Sequence, residues 1–145
     1  DVYKRQQIIR VSFSSFNQPN ALASLKQFLM VIDGEGMKDR IVEILQYTLK
    51  KDSGEEFHQI MHEVSVPLHT RNGIDVVAYG NSLHDPDSYY LIRAFESEEQ
   101  MESILDDFYA SAGWRSGPRE AIISRIELSL KSVLSLPQSV IDGLR

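Results

Sequence analysis

Four short stretches of the chain are rich in hydrophobic residues. They are residues 40–49, 74–79, 89–95 and 128–134. Short apolar runs of this kind, bounded by Gly, Pro, Asn, Asp and Ser, are typical of β-strands. The first stretch is apolar on both faces, with Ile41 and Leu45 on one and Val42 and Ile44 on the other. It therefore predicts a strand that is covered on both sides.

A segment between the first two strands carries apolar residues at helical spacing. Ser53, with Glu56 three residues later, is a capping-box signal that opens a helix. Pro67 predicts a kink or an end near Val66, and the run 71–73 predicts the C-cap. The predicted buried stripe consists of Phe57, Ile60, Met61, Val64 and Leu68.

A second helical segment follows the third strand. Ser97 is its predicted N-cap, and Pro118 is well placed to open a further helix. The inward residues are Met101, Ile104, Leu105 and Phe108. The order strand, helix, strand, strand, helix, strand predicts an α+β protein of the ferredoxin-like βαββαβ fold. Helices then cover one face of a four-stranded antiparallel sheet.

The other face of this sheet also needs a cover. Leu45, Tyr47 and alternate residues of the 89–95 strand are too apolar to face water over a whole sheet. A second copy of the chain is the simplest cover. The sequence therefore predicts a C2 homodimer.

The chain divides into three parts. Residues 37–137 are predicted to form the folded domain and residues 138–145 a short tail with at most one helical turn. Residues 1–6 resemble a translated library adapter. Met37 is the expected natural start, because the codons of residues 34–36 would overlap a purine-rich ribosome-binding site. Residues 1–36 are thus expected to be a partly artefactual extension, the alternative being a native N-terminal hairpin or helix.

Composition and charge exclude several function classes. The formal net charge of -6 argues against a nucleic-acid partner, which needs clustered Lys and Arg. The chain contains no Cys, which excludes disulfides, thiolate catalysis and cysteine-ligated metals. No apolar run approaches the ~20 residues that span a bilayer, so we expect no membrane partner and a cytoplasmic location.

Histidines are the first candidates for chemistry. His58 and His62 lie one helical turn apart and share a face, a spacing that can bind a metal. The HExxH motif is absent, however, and no metal site is predicted. His62 is instead a candidate catalytic imidazole, against a solvated helix residue. His84 with Asp85 is a candidate proton-transfer pair, against a turn stabilised by Asp85 and Asp87.

Strand residues supply further candidates. Tyr47 is a candidate catalytic phenol, and Tyr89 and Tyr90 point to opposite faces, so at most one of them lines a given cavity. Tyr89 is the one assigned to ligand binding. Arg93 lies on an otherwise apolar strand and needs an acidic or polar partner. Glu43 is the predicted ion-pair partner, and a substrate anion is the alternative.

The segment after the second helix contributes the remaining candidates. Phe108 and Trp114 are assigned to ligand binding, with Trp114 expected at the end of the pocket or at the dimer seam. Arg115 and Arg119 lie four residues apart, a spacing that suits a carboxylate ligand. The favoured interpretation is that they form surface pairs with the acidic side chains of Glu120 and Asp106 or Asp107.

Residues 38–136 resemble the NIPSNAP family. The resemblance is carried by 41–50, by 88–95 and above all by Phe108-Tyr109-Ala110-Ser111-Ala112-Gly113-Trp114-Arg115-Ser116-Gly117-Pro118-Arg119-Glu120. This family belongs to the dimeric α+β barrel superfamily, alongside antibiotic biosynthesis monooxygenases. The resemblance implies a homodimer whose two sheets close into a barrel, with a small-molecule pocket between the helices and the sheet of each subunit. One departure is Leu45, which stands where relatives often carry Arg.

Two function classes follow from these observations. The first is a cofactor-independent monooxygenase or related enzyme that acts on a small aromatic or quinone-like molecule, with one His or Tyr moving a proton. The second is a non-catalytic module that binds an apolar ligand or a partner protein. A His or Tyr beside Arg93 in the pocket favours the first, and a wall of Ile, Leu and Phe alone favours the second. Haem binding is a more distant third.

Overall fold

The computed structural model describes residues 38–145 together with Leu25. The strands are β1 (Asp39–Leu49), β2 (Asp75–Asn81), β3 (Ser88–Phe95) and β4 (Ile126–Pro137). The helices are α1 (Gly54–Ile60), α2 (Val66–Arg71), α3 (Glu98–Ala110), α4 (Ala112–Arg115), α5 (Arg119–Ile123) and α6 (Gln138–Gly143). A π-helical turn, Met61–Ser65, joins α1 to α2. Apart from Leu25, the expected extension of residues 1–36 lies outside the described residues.

The four strands form one antiparallel sheet in the order β2-β3-β1-β4. The predicted βαββαβ order and the ferredoxin-like fold are therefore confirmed. β1 runs through the middle of the sheet, and its Glu43 lies opposite Arg93 of β3 and Val133 of β4. This register places one acidic and one basic side chain side by side on the same face, because directly opposed residues share a face.

Helices α1 to α5 cover the face of the sheet that carries the main core. Leu45, Leu49, Tyr89, Leu91 and Phe95 rise from the strands into this core. The helices contribute the buried side chains of Phe57, Met61, Leu68, Met101, Leu105, Phe108, Trp114 and Ile122. Leu45 and Tyr47 thus lie under the helices, and the expectation that they form the uncovered face is wrong.

The opposite face of the sheet, called here the far face, carries a smaller core. Ile141 of α6 is fully buried there and packs with Val42, Val77 and Ala94. The predicted tail is therefore a helix that covers one end of the far face. Further along β4 the far face is open. Leu128, Leu130 and Leu134 lie on it with 53%, 57% and 41% of their surface exposed.

The first helical segment departs from a regular α-helix at the π-helical turn. The N–H of Val66 donates to the carbonyl of Met61, five residues back, so the turn holds one residue more than an α-helical turn. Ser65 is consequently buried and Val64 is exposed. The prediction that Val64 joins the buried stripe is wrong, because that stripe was drawn at α-helical spacing. The predicted end at residues 71–73 is confirmed, with Gly73 at φ 77°.

The helix caps differ in origin. Ser97 accepts the N–H of Gln100 at 3.0 Å, as predicted. Ser53 does not cap α1, because its hydroxyl donates to the Lys50 carbonyl. The cap comes instead from Asp87, whose carboxylate accepts the N–H groups of Asp52 and Gly54 at 2.9 Å each. The capping box predicted from Ser53 and Glu56 is therefore wrong, and the β2–β3 loop holds the start of α1.

Candidate functional site

Two adjoining clefts open between the helices and the sheet. The polar cleft, of about 480 Å³, is lined by Glu43, Leu45, Tyr47, Arg93, Met101, Glu102, Leu105, Asp106, Tyr109, Ser129 and Lys131. The apolar cleft, of about 450 Å³, is lined by Tyr47, Tyr109, Trp114, Arg119, Ile122, Ile123, Ile126 and Ser129. Tyr47, Tyr109 and Ser129 belong to both, so the clefts meet at these three residues. Their sizes suit a small organic molecule.

A buried ion pair forms the floor of the polar cleft. Arg93 donates from Nε and Nη2 to Oε1 of Glu43, at 2.8 Å and 2.5 Å. Both side chains are 2% exposed. Two charges this far from water persist only when each is paired and hydrogen bonded. The ion pair predicted from the strand pattern is confirmed.

His69 holds the same guanidinium from the helix side. Nη1 of Arg93 lies 3.1 Å from Nε2 of His69, and Nδ1 of His69 lies 2.7 Å from the Ser65 carbonyl. Because Arg93 can only donate, Nε2 must accept and Nδ1 must carry the proton. Burial, reinforced by the charge of Arg93, lowers the pKa of His69 to about 4, against the bond to Ser65, which raises it. His69 is therefore a neutral imidazole at physiological pH.

Tyr109 completes the surroundings of the guanidinium. Nη1 of Arg93 donates to the Tyr109 hydroxyl at 2.9 Å. Four of the five N–H donors of Arg93 then have partners among the described residues, and one on Nη2 is left. The hydroxyl of Tyr109 accepts from Arg93, so its own proton is free to donate. The floor of the polar cleft therefore offers donors to an oxygen atom of a ligand.

Tyr47 stands where the two clefts meet. Burial raises its pKa above the ordinary value for a phenol, with Tyr109 adding to the rise and Arg93 opposing it. At neutral pH Tyr47 is therefore a protonated phenol. It can donate a hydrogen bond or a proton to a ligand, but it does not act as a base under these conditions.

The rim of the polar cleft carries charges of both signs. Lys131 of β4 lies 3.7 Å from Oε2 of Glu43, and its side chain is about half exposed. Glu102 and Asp106 project from α3 on the other side. The charges of the lining residues nearly balance, so this cleft does not select ligands by net charge. Its polarity comes from positioned hydrogen-bond donors and acceptors.

Trp114 forms a wall of the apolar cleft. It is 5% exposed and packs against Phe108 and Tyr109, with ring centroids 5.5 Å and 5.3 Å apart. The hydroxyl of Ser111 caps the short helix α4 by accepting the N–H of Trp114 at 3.2 Å. Arg119 lies at the exposed edge of this cleft. Within residues 38–145 no ion pair of Arg119 is found, so its favoured surface pairing is not observed.

The structure brings three of the sequence-predicted site residues to the clefts and places two others in the core. Tyr47 and Arg93 line the polar cleft, and Trp114 lines the apolar cleft. Phe108 and Tyr89 are 1% exposed each and lie in the core. Phe108 supports both Trp114 and His69, with the His69 ring 4.4 Å away. Phe108 therefore shapes the site from behind, whereas the hydroxyl of Tyr89 is engaged with Nδ1 of His58, 2.7 Å away.

The two histidines predicted to be catalytic lie elsewhere. The Nδ1 atom of His62 lies 2.6 Å from the hydroxyl of Tyr79, on the exposed side of the π-helical turn. His84 lies in the β2–β3 loop, where Nδ1 contacts the Ser82 hydroxyl. In the described part of the chain His84 makes no hydrogen bond with Asp85, which instead accepts the N–H of Asp87. Neither histidine lines the clefts.

Sequence reasoning missed His69 and Tyr109 as members of the site. His69 follows Leu68 near a helix end, where a basic residue is ordinarily explained by the helix dipole. The signal that could have found it is the buried Arg93, whose donors exceed what one carboxylate accepts. Among residues 38–145, no group of three or more His, Asp or Glu side chains is placed to hold a metal ion. The same residues form no helix long and apolar enough to cross a membrane.

No protein-family model and no curated protein matches the chain. Solved structures do match. An uncharacterised NIPSNAP-like domain protein from Burkholderia xenovorans is 20% identical with a TM-score of 0.62, covering 69% of this chain and 86% of its own. A NIPSNAP family protein from Agrobacterium tumefaciens is 16% identical with a TM-score of 0.62, covering 68% and 93%.

A third match extends the comparison to a neighbouring group. A protein from Bacteroides thetaiotaomicron, described as antibiotic biosynthesis monooxygenase-like, is 12% identical with a TM-score of 0.54. The match covers 68% of this chain and 92% of that one. Identities this low establish the fold and leave the activity open. The chain thus has the ferredoxin-like α+β fold that NIPSNAP-like proteins share with antibiotic biosynthesis monooxygenase-like proteins.

Proposed function

We propose that this protein binds a small aromatic molecule bearing an oxygen substituent, in the two joined clefts. The observation that carries this proposal is that an apolar wall containing Trp114 adjoins a buried guanidinium, Arg93, across a boundary formed by two tyrosines. Pockets that bind organic ligands combine apolar surface with a few convergent polar groups in this way. The ring of the ligand would lie against Trp114 and Ile122.

The ligand oxygen would lie between Tyr47, Tyr109 and Arg93. Both phenols are donors, and the free N–H of Arg93 is the third. Glu43 and His69 hold the guanidinium in place, so it needs no reorganisation when the ligand binds. Preorganised donors in a partly dry cleft stabilise a partial or full negative charge on oxygen more strongly than water does.

Single-tryptophan fluorescence tests this binding directly. Trp114 is the only tryptophan of the chain, so its emission reports on the apolar cleft alone. Titration with naphthol or a hydroxynaphthoquinone is expected to quench this emission saturably. Naphthalene lacks the oxygen and is expected to bind about tenfold more weakly or worse. A tenfold loss of affinity corresponds to about 1.4 kcal/mol, which is the size of one lost hydrogen bond to a charged group.

A pair of variants locates the ligand. Ser129→Phe fills the boundary between the two clefts and is expected to abolish quenching, whereas Ser129→Ala keeps the boundary open and should bind as the wild type does. Ser129 lies on β4, where most residues are exposed, so neither variant disturbs the core. Unchanged quenching in Ser129→Phe, or no saturable quenching with any of the probes, would contradict the proposal.

A cofactor-independent monooxygenase is the second candidate. The donors around the proposed oxygen position favour the ionised, carbanion-like form of a phenol or enol, which reacts with O₂ directly. Neither Tyr47 nor His69 serves as the base, because the first is protonated and the second has both ring nitrogens occupied. Glu102 and Asp106 on the rim are the carboxylates that could take the proton.

Oxygen uptake distinguishes the two candidates. An oxygen electrode with an anthrone-type or naphthol-type substrate should record enzyme-dependent consumption if the protein is an oxygenase. Glu102→Gln/Asp106→Asn should then reduce the rate by about 10² or more while quenching of Trp114 stays unchanged. Quenching without oxygen uptake would leave a binding module.

We also propose that a second copy of the chain covers the far face, giving the dimeric barrel. The exposed leucines of β4, Leu128, Leu130 and Leu134, support this proposal because they form one row on the open part of that face. Analytical ultracentrifugation should find a dimer for the wild type and a monomer for Leu130→Glu. Leu83→Glu, in a fully exposed loop, is the matched control and should stay dimeric. A monomeric wild type would rule the proposal out.

A further inference from the structure

A second group of polar side chains lies outside the clefts, where α1 and the π-helical turn meet the edge of the sheet. His58 and His62 lie one turn apart with their rings nearly parallel, at 25°, and their centroids 5.9 Å apart. Each ring is held by a tyrosine of the sheet. Nδ1 of His58 lies 2.7 Å from the Tyr89 hydroxyl, and Nδ1 of His62 lies 2.6 Å from the Tyr79 hydroxyl.

The two tyrosine contacts engage the same nitrogen of each ring. Both histidines use Nδ1, so in each ring Nε2 makes no hydrogen bond among the described residues. Imidazoles that bind metals characteristically ligate through one nitrogen while the other donates its N–H to an oxygen acceptor. The phenol oxygens of Tyr89 and Tyr79 are placed to accept those protons, which leaves each Nε2 as a lone-pair donor.

The anchoring of the tyrosines makes this arrangement rigid on one side. Tyr89 is 1% exposed on β3 and packs on Phe57, with ring centroids 4.8 Å apart. Tyr79 lies on the neighbouring strand β2 and contacts both imidazoles, with centroids 6.0 Å and 5.9 Å away. Two oriented imidazoles therefore project from one helix face as i,i+4 neighbours, close enough for their side chains to converge on one ion.

We propose that His58 and His62 form a binding site for one divalent transition-metal ion, of the class of Zn²⁺, Ni²⁺ and Cu²⁺. Each histidine ligates through Nε2, and imidazole suits these metals. The remaining coordination positions are open to water or to an external ligand, because the described residues place no third His, Asp or Glu there. The site lies apart from the two clefts and does not depend on the function proposed for them.

The other two histidines of the chain are not part of a chelating pair. The sequence contains four histidines, all within the described residues. His69 is buried and uses both ring nitrogens. His84 lies alone in the β2–β3 loop against Ser82. His58 and His62 are the one pair that can chelate, which gives the test a clean control.

Calorimetric titration of the untagged protein with ZnCl₂ is the first measurement. One Zn²⁺ per chain is expected. His58→Asn and His62→Asn should each weaken binding at least about tenfold, since removal of one of two ligands ends chelation. Asparagine suits this test because its Nδ2 can replace Nδ1 in the bond to tyrosine while Nε2 is lost. His84→Asn is the matched control and should bind as the wild type does.

Two further readouts separate ligation from a merely structural role. Tyr79→Phe removes the acceptor of the His62 ring proton and should weaken Zn²⁺ binding by about tenfold. The electron paramagnetic resonance spectrum of the Cu²⁺-loaded protein should show two coordinated imidazole nitrogens, and His62→Asn should show one. The proposal fails if Zn²⁺ binds equally well to folded His58→Asn and His62→Asn, or if no stoichiometric binding is measured.

Discussion

Two of the arginine–carboxylate clusters among the described residues differ mainly in burial. On the helix-covered face, Arg93 and Glu43 are 2% exposed and His69 and Tyr109 share the guanidinium. At the sheet edge, Arg145 forms a two-fold contact with Asp75 at 2.9 Å, to which Arg40 adds a third bond. The second cluster is partly exposed, with 31% of the Asp75 side chain and 39% of the Arg145 side chain open to solvent.

The comparison shows that hydrogen-bond count does not measure what an ion pair contributes. Solvent screens the pair at Asp75, so it stabilises the fold by at most about 1 kcal/mol. The pair at Glu43 carries a large desolvation cost, and either partner left alone becomes an unpaired buried charge. Replacing both partners with apolar residues would cost the fold little, so the pair is not explained by stability, and we propose that it serves the ligand site of the polar cleft.

The largest effect is expected from Arg93→Met. This change leaves Glu43 buried without its guanidinium and should lower the free energy of unfolding by about 3–5 kcal/mol in urea denaturation. The double variant Arg93→Met/Glu43→Leu removes both charges and should recover most of that loss while still failing to bind the naphthol probe. A loss below 1 kcal/mol in the single variant would contradict the assignment.

Acidification should destabilise the fold through His69. The pKa of His69 is about 4 in the folded protein and 6.5 ordinarily, so between these two pH values the unfolded chain binds a proton that the folded protein does not. Stability from this group is therefore complete above pH 6.5 and lost as the pH falls towards 4, by about 3 kcal/mol. His69→Asn should lack this slope in pH-dependent urea denaturation. An equal slope in both proteins would remove His69 as its source.

An intermediate effect is expected at Asp87, a carboxylate that binds backbone N–H groups instead of a guanidinium. Asp87→Ala removes the cap of α1 and should cost about 1 kcal/mol in thermal or urea unfolding. Ser53→Ala is the comparison, since its hydroxyl does not cap the helix. If Ser53→Ala costs more than Asp87→Ala, the cap belongs to the serine after all.

The smallest effect is expected at the exposed cluster. Asp75→Asn should lower the free energy of unfolding by less than about 1 kcal/mol, and ~1 M salt should shrink the difference further. Hydrogen bonding from Arg145 holds the pKa of Asp75 below its usual value, so its contribution is lost only at a pH below the window of His69. A salt-independent loss as large as that of Arg93→Met would make the two clusters equivalent.

Much of the fold could be predicted because strand alternation is a local signal. The strands fall close to the predicted stretches, and Glu43 is predictable as the partner of Arg93 because a strand-centre arginine requires one. The prediction exchanges the helix-covered face and the far face, however. Alternation separates two faces of a strand without saying which one the helices cover.

The remaining misses share a physical cause, which is that they depend on contacts between distant segments. The cap of α1 comes from Asp87, and a local capping-box pattern cannot reveal an acceptor more than thirty residues away. α6 owes its place to the burial of Ile141 against Val42 across the sheet. The role of His69, on helix α2, depends in the same way on Arg93, which lies on β3.

The π-helical turn fixes the rotational phase of everything that follows it in the first helical segment. Each residue of an α-helix advances the side chains by about 100°, so a continuous α-helix through residues 61–65 would turn α2 by that angle. His69 would then leave Arg93, and Leu68 would leave the core. Deleting one residue of this turn removes its extra residue and keeps α2 in phase, so such a deletion should be tolerated far better than a single-residue deletion within α1.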